Sequence, residues 1–174
     1  MDFITQYASP VGMLTIAGSE EGLAGLWIHN QKYFAAGISS EILRKDDLPI
    51  FEKTREWLDR YFSGGRPTPG ELSLSPRGSL FQQAVWTLLC DIPWGETITY
   101  GALASRVAER LGKSSMSARA VGSAVGRNPI SIIIPCHRVI GANGRLTGYA
   151  GGLSVKKRLL ELENVKLPDR SIPG

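Results

Sequence analysis

The chain has 174 residues, 43% of them hydrophobic and 21% charged, with two cysteines, a balance that supports a globular core and excludes disordered, collagenous and disulfide-scaffold classes. The net charge of +4 is uneven: residues 1–75 carry seven Lys/Arg against ten Asp/Glu, and residues 76–174 carry thirteen against six, so the second half is the part suited to a polyanion. Ile130 to Pro135, the longest strongly apolar run, falls far short of the roughly 20 residues of a membrane helix, and Met1 to Ser19 lacks the basic start of a secretory leader, so a cytoplasmic location and no membrane partner are expected.

In chain order, Ile4 to Ile28 alternates apolar and polar residues around Ser9-Pro10, Gly18-Ser19 and Gly22, which predicts a small antiparallel sheet. Ile50, Thr54, Trp57, Leu58, Tyr61 and Phe62 then recur at helical spacing and predict a helix packed on that sheet. Ser63 to Gly78 is rich in Gly, Pro and Ser and coincides with the change of charge, which argues for two units, 1–75 and 76–174, with a linker at the end of the first.

Ser79-x-x-Gln82 has capping-box form and opens a helix through Leu80, Phe81, Ala84, Val85, Leu88 and Leu89. Asp91 to Glu96 should turn, Thr99 should cap a helix from Tyr100 to Leu111 stopped by Gly112, and a third helix is expected from about Ser117 to Arg127. Three such helices make a plausible helix-turn-helix. Ile130 to Ile134 reads as a buried strand running into Pro135-Cys136-His137-Arg138, followed by the turn Gly141 to Gly144, a glycine-rich loop from Thr147 to Gly152 and a last helix, Leu153 to Glu163.

The two thiols differ. Cys90 closes an amphipathic run and reads as a small buried hydrophobe, whereas Cys136 stands beside a histidine able to take its proton. In an extended strand, however, Cys136 and His137 would point to opposite faces, so they can cooperate only if the chain turns or a water joins them. His29, beside Trp27 and Asn30, reads as a surface residue. The spacing of two Cys and two His makes no zinc set, and no metal or cofactor is expected. On these residues alone a thiol hydrolase and a DNA-binding regulator both remain open.

Arg119-Ala120-Val121-Gly122, Asn128-Pro129, Ile134-Pro135-Cys136-His137-Arg138-Val139-Ile140 and Gly148-Tyr149-Ala150-Gly151-Gly152 together resemble the O6-alkylguanine-DNA alkyltransferases, or methylated-DNA-protein-cysteine methyltransferases. The likeness is closest from Ser79 to Glu163; the first unit joins it only through Ser9-Pro10-Val11-Gly12 and Glu21-Gly22-Leu23. It implies an α/β (α+β) protein: a small N-terminal α/β domain with an antiparallel sheet, then a C-terminal winged helix-turn-helix-like domain that binds DNA and carries the chemistry.

The resemblance further implies irreversible, single-use transfer of an alkyl group from O6-alkylguanine, and from O4-alkylthymine, to Cys136. His137 would take the thiol proton through a water, Glu163 would orient His137, and Asn128 would belong to the same network. Tyr100 would help rotate the nucleotide and donate a proton to guanine. Arg119 would enter the base stack, with Ala118, Gly122 and Ser123 bringing the helix close to the minor groove and Arg138 also on DNA. Gly148, Tyr149, Ala150 and Gly151 would hold the flipped base. The implied partner is double-stranded DNA, met by a monomer. A damage sensor of the same shape that lacks an acceptor cysteine is disfavoured by Cys136. Two departures stand out: the Tyr100-to-Arg119 segment is several residues longer than usual through Glu109 to Ser117, and position 150 is Ala where some relatives have Ser.

Overall fold

The computed structural model describes residues 1–168. The alternating N-terminal segment forms an antiparallel meander of β1 (Asp2–Ser9), β2 (Gly12–Ser19) and β3 (Gly22–Ile28). It turns at Gly12 and Gly22, whose φ of 111° and 141° lie where a Cβ is strained. A short β4 (Ile42–Arg44), too brief to stand out in the sequence, pairs with β1 in parallel and completes the order β3-β2-β1-β4. α1 (Pro49–Phe62) buries Phe51, Thr54, Trp57, Leu58 and Tyr61 and touches all three meander strands, the apolar stripe having no other face to cover.

All seven residues of β3 are buried, and its outer edge is covered by residues 73–75 and 129–131. Leu23 N donates to Ser73 O (2.8 Å) and Ser75 N to Leu23 O (2.7 Å), while Leu26 N donates to Pro129 O (2.8 Å) and Ser131 N to Leu26 O (2.9 Å). The Gly/Pro/Ser-rich stretch is therefore pinned to the sheet at 73–75. One apolar cluster runs through Leu26, Leu89, Ile130 and Leu159, so sequence-distant parts of the chain share a core.

The three helices begin at or within a residue of their expected starts, each on a capping side chain. Ser79 and Gln82 close a capping box on α2 (Leu80–Leu89), Thr99 Oγ1 accepts from Ala102 N (3.1 Å) at the start of α3 (Tyr100–Arg110), and Ser117 Oγ accepts from Ala120 N (3.2 Å) at the start of α4 (Ala118–Gly126); each such cap stabilises by about 1 kcal/mol. Between Tyr100 and Arg119, residues 111–117 form a surface loop, and α3 and α4 pack together. β5 (Ile98–Thr99) and β6 (Val139–Ile140) form a parallel pair of two residues each, and α5 (Leu153–Leu162) follows, with Glu163 at its C-cap.

The expected strand over 130–134 is not formed. Only Ile130 makes a bridge, to Leu26, and the chain then turns: Ile133 N donates to Ser131 O, Ile134 N to Ile130 O, and Ile132 sits at φ 71°. An apolar run reports burial and not conformation, and here local turn bonds satisfy the backbone where a ladder was expected.

Candidate active site

Pro135 ends that turn with ψ 61°, and Cys136–Arg138 make one 3-10 turn. The strand objection to Cys136 and His137 cooperating therefore lapses. Asn128, buried after α4, ties the segment together: its Nδ2 donates to Ile134 O (2.9 Å) and Ile130 O (3.3 Å), and its Oδ1 accepts from Ile130 N (3.0 Å). Cys136 is 5% exposed. Burial raises its thiol pKa, with the Asn128 side chain and the Lys156 charge opposing, so the sulfur rests protonated and needs a base.

His137 and Glu163 are shielded from solvent, with Nε2 2.5 Å from Oε2. Burial pushes Glu163 upward, but His137 and Arg138 outweigh it and hold its pKa at about 2. The carboxylate can only accept, so His137 Nε2 carries the hydrogen and Nδ1 is left as the acceptor. Nδ1 is buried and has no partner among the described residues. Burial lowers the His137 pKa against the pull of Glu163, which keeps the imidazole neutral and able to act as a base.

Glu163 has further donors: Arg138 Nε at 2.7 Å and Gly95 N at 3.3 Å on Oε1, and Tyr61 OH at 2.6 Å on Oε2. This corrects the expectation for Arg138. It is 4% exposed, with its guanidinium turned inward to Glu163 and to Ile92 O (2.6 Å), because a buried carboxylate offers a stronger partner than solvent.

Above the thiol opens a cavity of about 210 Å³ lined by Tyr100, Asn128, Cys136, Gly148, Tyr149 and Ala150, and also by Lys32, Tyr33 and Ser131. Tyr100 OH donates to Thr147 O (2.9 Å), and burial pushes its pKa up to about 12, so the phenol stays a donor. Lys156 is fully buried; its Nζ donates to Thr147 O (3.3 Å) and Gly148 O (3.2 Å), and burial lowers its pKa to about 8. Gly151 is not on the cavity wall. A Cβ there would stand 2.7 Å from Ile28 Cδ1 and 3.0 Å from Tyr149 Cε1, so the glycine lets the loop close onto the sheet.

On α4, Ala118, Arg119 and Ser123 are exposed, while Gly122 faces the Tyr100 ring, 3.5 Å from where its Cβ would be. Cys90 is half-buried and free, its pKa raised by burial to about 11, in keeping with a packing role, and His29 is exposed. The sequence reading missed Lys32, Tyr33, Ser131, Tyr61 and Lys156. Helical spacing marked Tyr61 as core, and Lys156 was one of several basic residues on α5; nothing local distinguished either.

Fold and site define a helix-turn-helix protein with a buried thiol at the foot of an open pocket. Residues 3–76 match the 6-O-methylguanine DNA methyltransferase ribonuclease-like domain and residues 80–165 the DNA binding domain of the same family. The chain is 41% identical to the methylated-DNA–protein-cysteine methyltransferase of Haemophilus influenzae, over 97% of this chain and 89% of that one. It is 45% identical to that of Methanosarcina mazei, over 91% and 95%. The Mycobacterium tuberculosis OGT solved in complex with DNA superposes with a TM-score of 0.77 at 41% identity, covering 93% of each chain. This chain belongs to the 6-O-methylguanine DNA methyltransferase family.

Proposed function

We propose that the protein repairs DNA by direct reversal, moving the alkyl group of O6-alkylguanine onto Cys136 Sγ. The observation that carries this reading is the buried Cys136 at the foot of the cavity, with His137, the next residue in the chain, paired to Glu163 and shielded from solvent. A water between His137 Nδ1 and Sγ passes the thiol proton to the imidazole. The thiolate attacks the alkyl carbon, the carbon–O6 bond breaks, and its electron pair stays on guanine, which gains a proton with Tyr100 as donor; the proton taken up by His137 then leaves it and the phenol is reprotonated. A thiol and an alkylguanine become a thioether and guanine. Water does not cleave the thioether at a useful rate, so each protein acts once.

The base must leave the duplex to reach Cys136, at a cost of roughly a few kcal/mol. The exposed Arg119, with Ala118, Gly122 and Ser123 on the same helix, suits entry from the minor groove and filling of the vacated stack. Gly148, Tyr149 and Ala150 hold the base. O4-alkylthymine is a second substrate, and the protein acts as a monomer in the cytoplasm. The relative solved with DNA supports the duplex as partner.

The test is intact mass after incubation with a duplex carrying O6-methylguanine. One added methyl is expected, mapped to Cys136 and absent in Cys136→Ala. Tight lesion binding with no gain of mass would instead make the protein a damage sensor and overturn the proposal.

A further inference from the structure

We infer that Tyr61, on the helix packed against the N-terminal sheet, is a positioning residue for the transfer: its hydroxyl shares Glu163 Oε2 with His137 and thereby sets how readily that imidazole holds a proton. The inference rests on the alkyl-transfer reading above. It gives the N-terminal part of the chain a role in chemistry that the sequence did not suggest.

Tyr61 is fully buried and its hydroxyl donates to Oε2 at 2.6 Å, while lying 3.5 Å from His137 Nε2. The donor from His137 reaches the same oxygen at 2.5 Å. The other oxygen is taken by Arg138 and Gly95, so among the described residues the carboxylate is held by four donors, of which Tyr61 is the one supplied from residues 1–75. Its ring is fixed independently of the hydroxyl, stacked on Trp57 at 5.5 Å and edge-on to Phe62 and Trp94 at 5.1 Å each. Packing would be met equally well by Phe at this position, so the hydroxyl calls for its own explanation.

A carboxylate oxygen that accepts two hydrogen bonds offers less negative charge to each donor. With the Tyr61 hydroxyl in place, Glu163 stabilises an imidazolium at His137 less than it otherwise would, and the neutral base persists to lower pH. The phenol remains a donor throughout, since burial and the Glu163 charge raise its pKa well above 10. The ionisable groups around His137 are Tyr61 from α1, Cys136 and Arg138 from its own turn, Tyr149 from the glycine-rich loop, and Lys156 and Glu163 from α5 and its C-cap. Arg138 and Lys156 also oppose protonation of His137, but neither touches Oε2.

The experiment compares wild type, Tyr61→Phe and Trp57→Phe in the full chain by two readouts: the imidazole titration of His137 by 15N NMR, and the rate of methyl transfer to Cys136 against pH. Tyr61→Phe is expected to raise the His137 midpoint by about half a unit, which slows transfer roughly threefold at pH values below both midpoints. Trp57→Phe, which disturbs the ring's packing and keeps the hydroxyl, should lower thermal stability and leave the midpoint alone. A 3-fluorotyrosine placed at position 61, a stronger donor of nearly the same size, should move the midpoint down.

An unchanged midpoint in Tyr61→Phe overturns the inference, as does an equal shift in Trp57→Phe, which would assign the effect to packing. Should wild type itself fail to alkylate Cys136, the alkyl-transfer reading falls, and the NMR titrations still decide whether Tyr61 controls the imidazole.

Discussion

Glu163, at the end of the last helix, stands between His137 and Arg138 and takes a hydrogen bond from each, 2.5 Å on one oxygen and 2.7 Å on the other. The carboxylate proposed to orient the base is thus also the counter-ion of a buried guanidinium. Under that proposal, activity and stability are coupled through one carboxylate.

That coupling predicts the acid behaviour. Glu163 is held at about 2 against an ordinary 4.5, so its contribution is fully present above pH 4.5 and is lost as the pH falls through about 2, a window amounting to about 3 kcal/mol. His137 is depressed below 6.5 and adds a loss that begins lower than pH 6.5, because the unfolded chain takes up the proton first. Denaturant unfolding measured from pH 7 to pH 2 should show stability falling in both ranges. Glu163→Gln should cost about 3–5 kcal/mol at pH 7 by leaving Arg138 unpaired, and should flatten the slope below pH 4.5. A Glu163→Gln curve parallel to wild type would refute this account.

Asn128→Ala should injure fold and chemistry together. It leaves Ile130 N and Ile134 O without the side-chain partners they have now, at about 1–3 kcal/mol for each group left unsatisfied, and it removes a hydrogen bond that lowers the Cys136 pKa. A lower thermal midpoint and slower alkylation of Cys136 are expected. Wild-type transfer rates in a destabilised Asn128→Ala protein would remove Asn128 from the chemistry.

Arg119 is exposed on α4, so its replacement should leave the fold intact. Arg119→Ala is expected to slow transfer from duplex DNA more than transfer from the free base O6-benzylguanine, by about tenfold or more, since only the duplex requires the flipped state to be held open. Equal losses on both substrates would show that Arg119 acts elsewhere than in the stack.

Ala150 lines the cavity beside Tyr149 and Cys136. A serine there occupies more of the cavity and adds a hydroxyl, so Ala150→Ser should lower the ratio of benzyl to methyl transfer, read by competition between the two lesions in one tube. An unchanged ratio would mean that this wall does not select the alkyl group.

Much of the molecule could be read locally. The capping residues Ser79 and Thr99 announced two helices that begin where expected, because a cap acts within four residues of itself, and the third helix, expected from about Ser117, begins at Ala118. Cys136 and His137 stood out by their adjacency, and Asn128, Tyr149 and Ala150 were identified by resemblance; Cys136, Asn128, Tyr149 and Ala150 line one pocket, with His137 paired to Glu163 beneath the surface. The strand over 130–134 was misread because its signal is apolar composition, which a buried turn satisfies equally.

What the sequence determined by itself was the N-terminal meander, the main helices, the charge division and the placing of a thiol beside a histidine, all properties of neighbouring residues. Only the tertiary structure decided which partners met. Arg138 turned inward because Glu163, 25 positions away, is buried beside it. Tyr61 joined the same carboxylate across 102 positions, and Lys32 and Tyr33 reached the pocket from the first half of the chain. Such pairings depend on how β3 docks against residues 129–131 and on where α5 ends, and no local pattern encodes them.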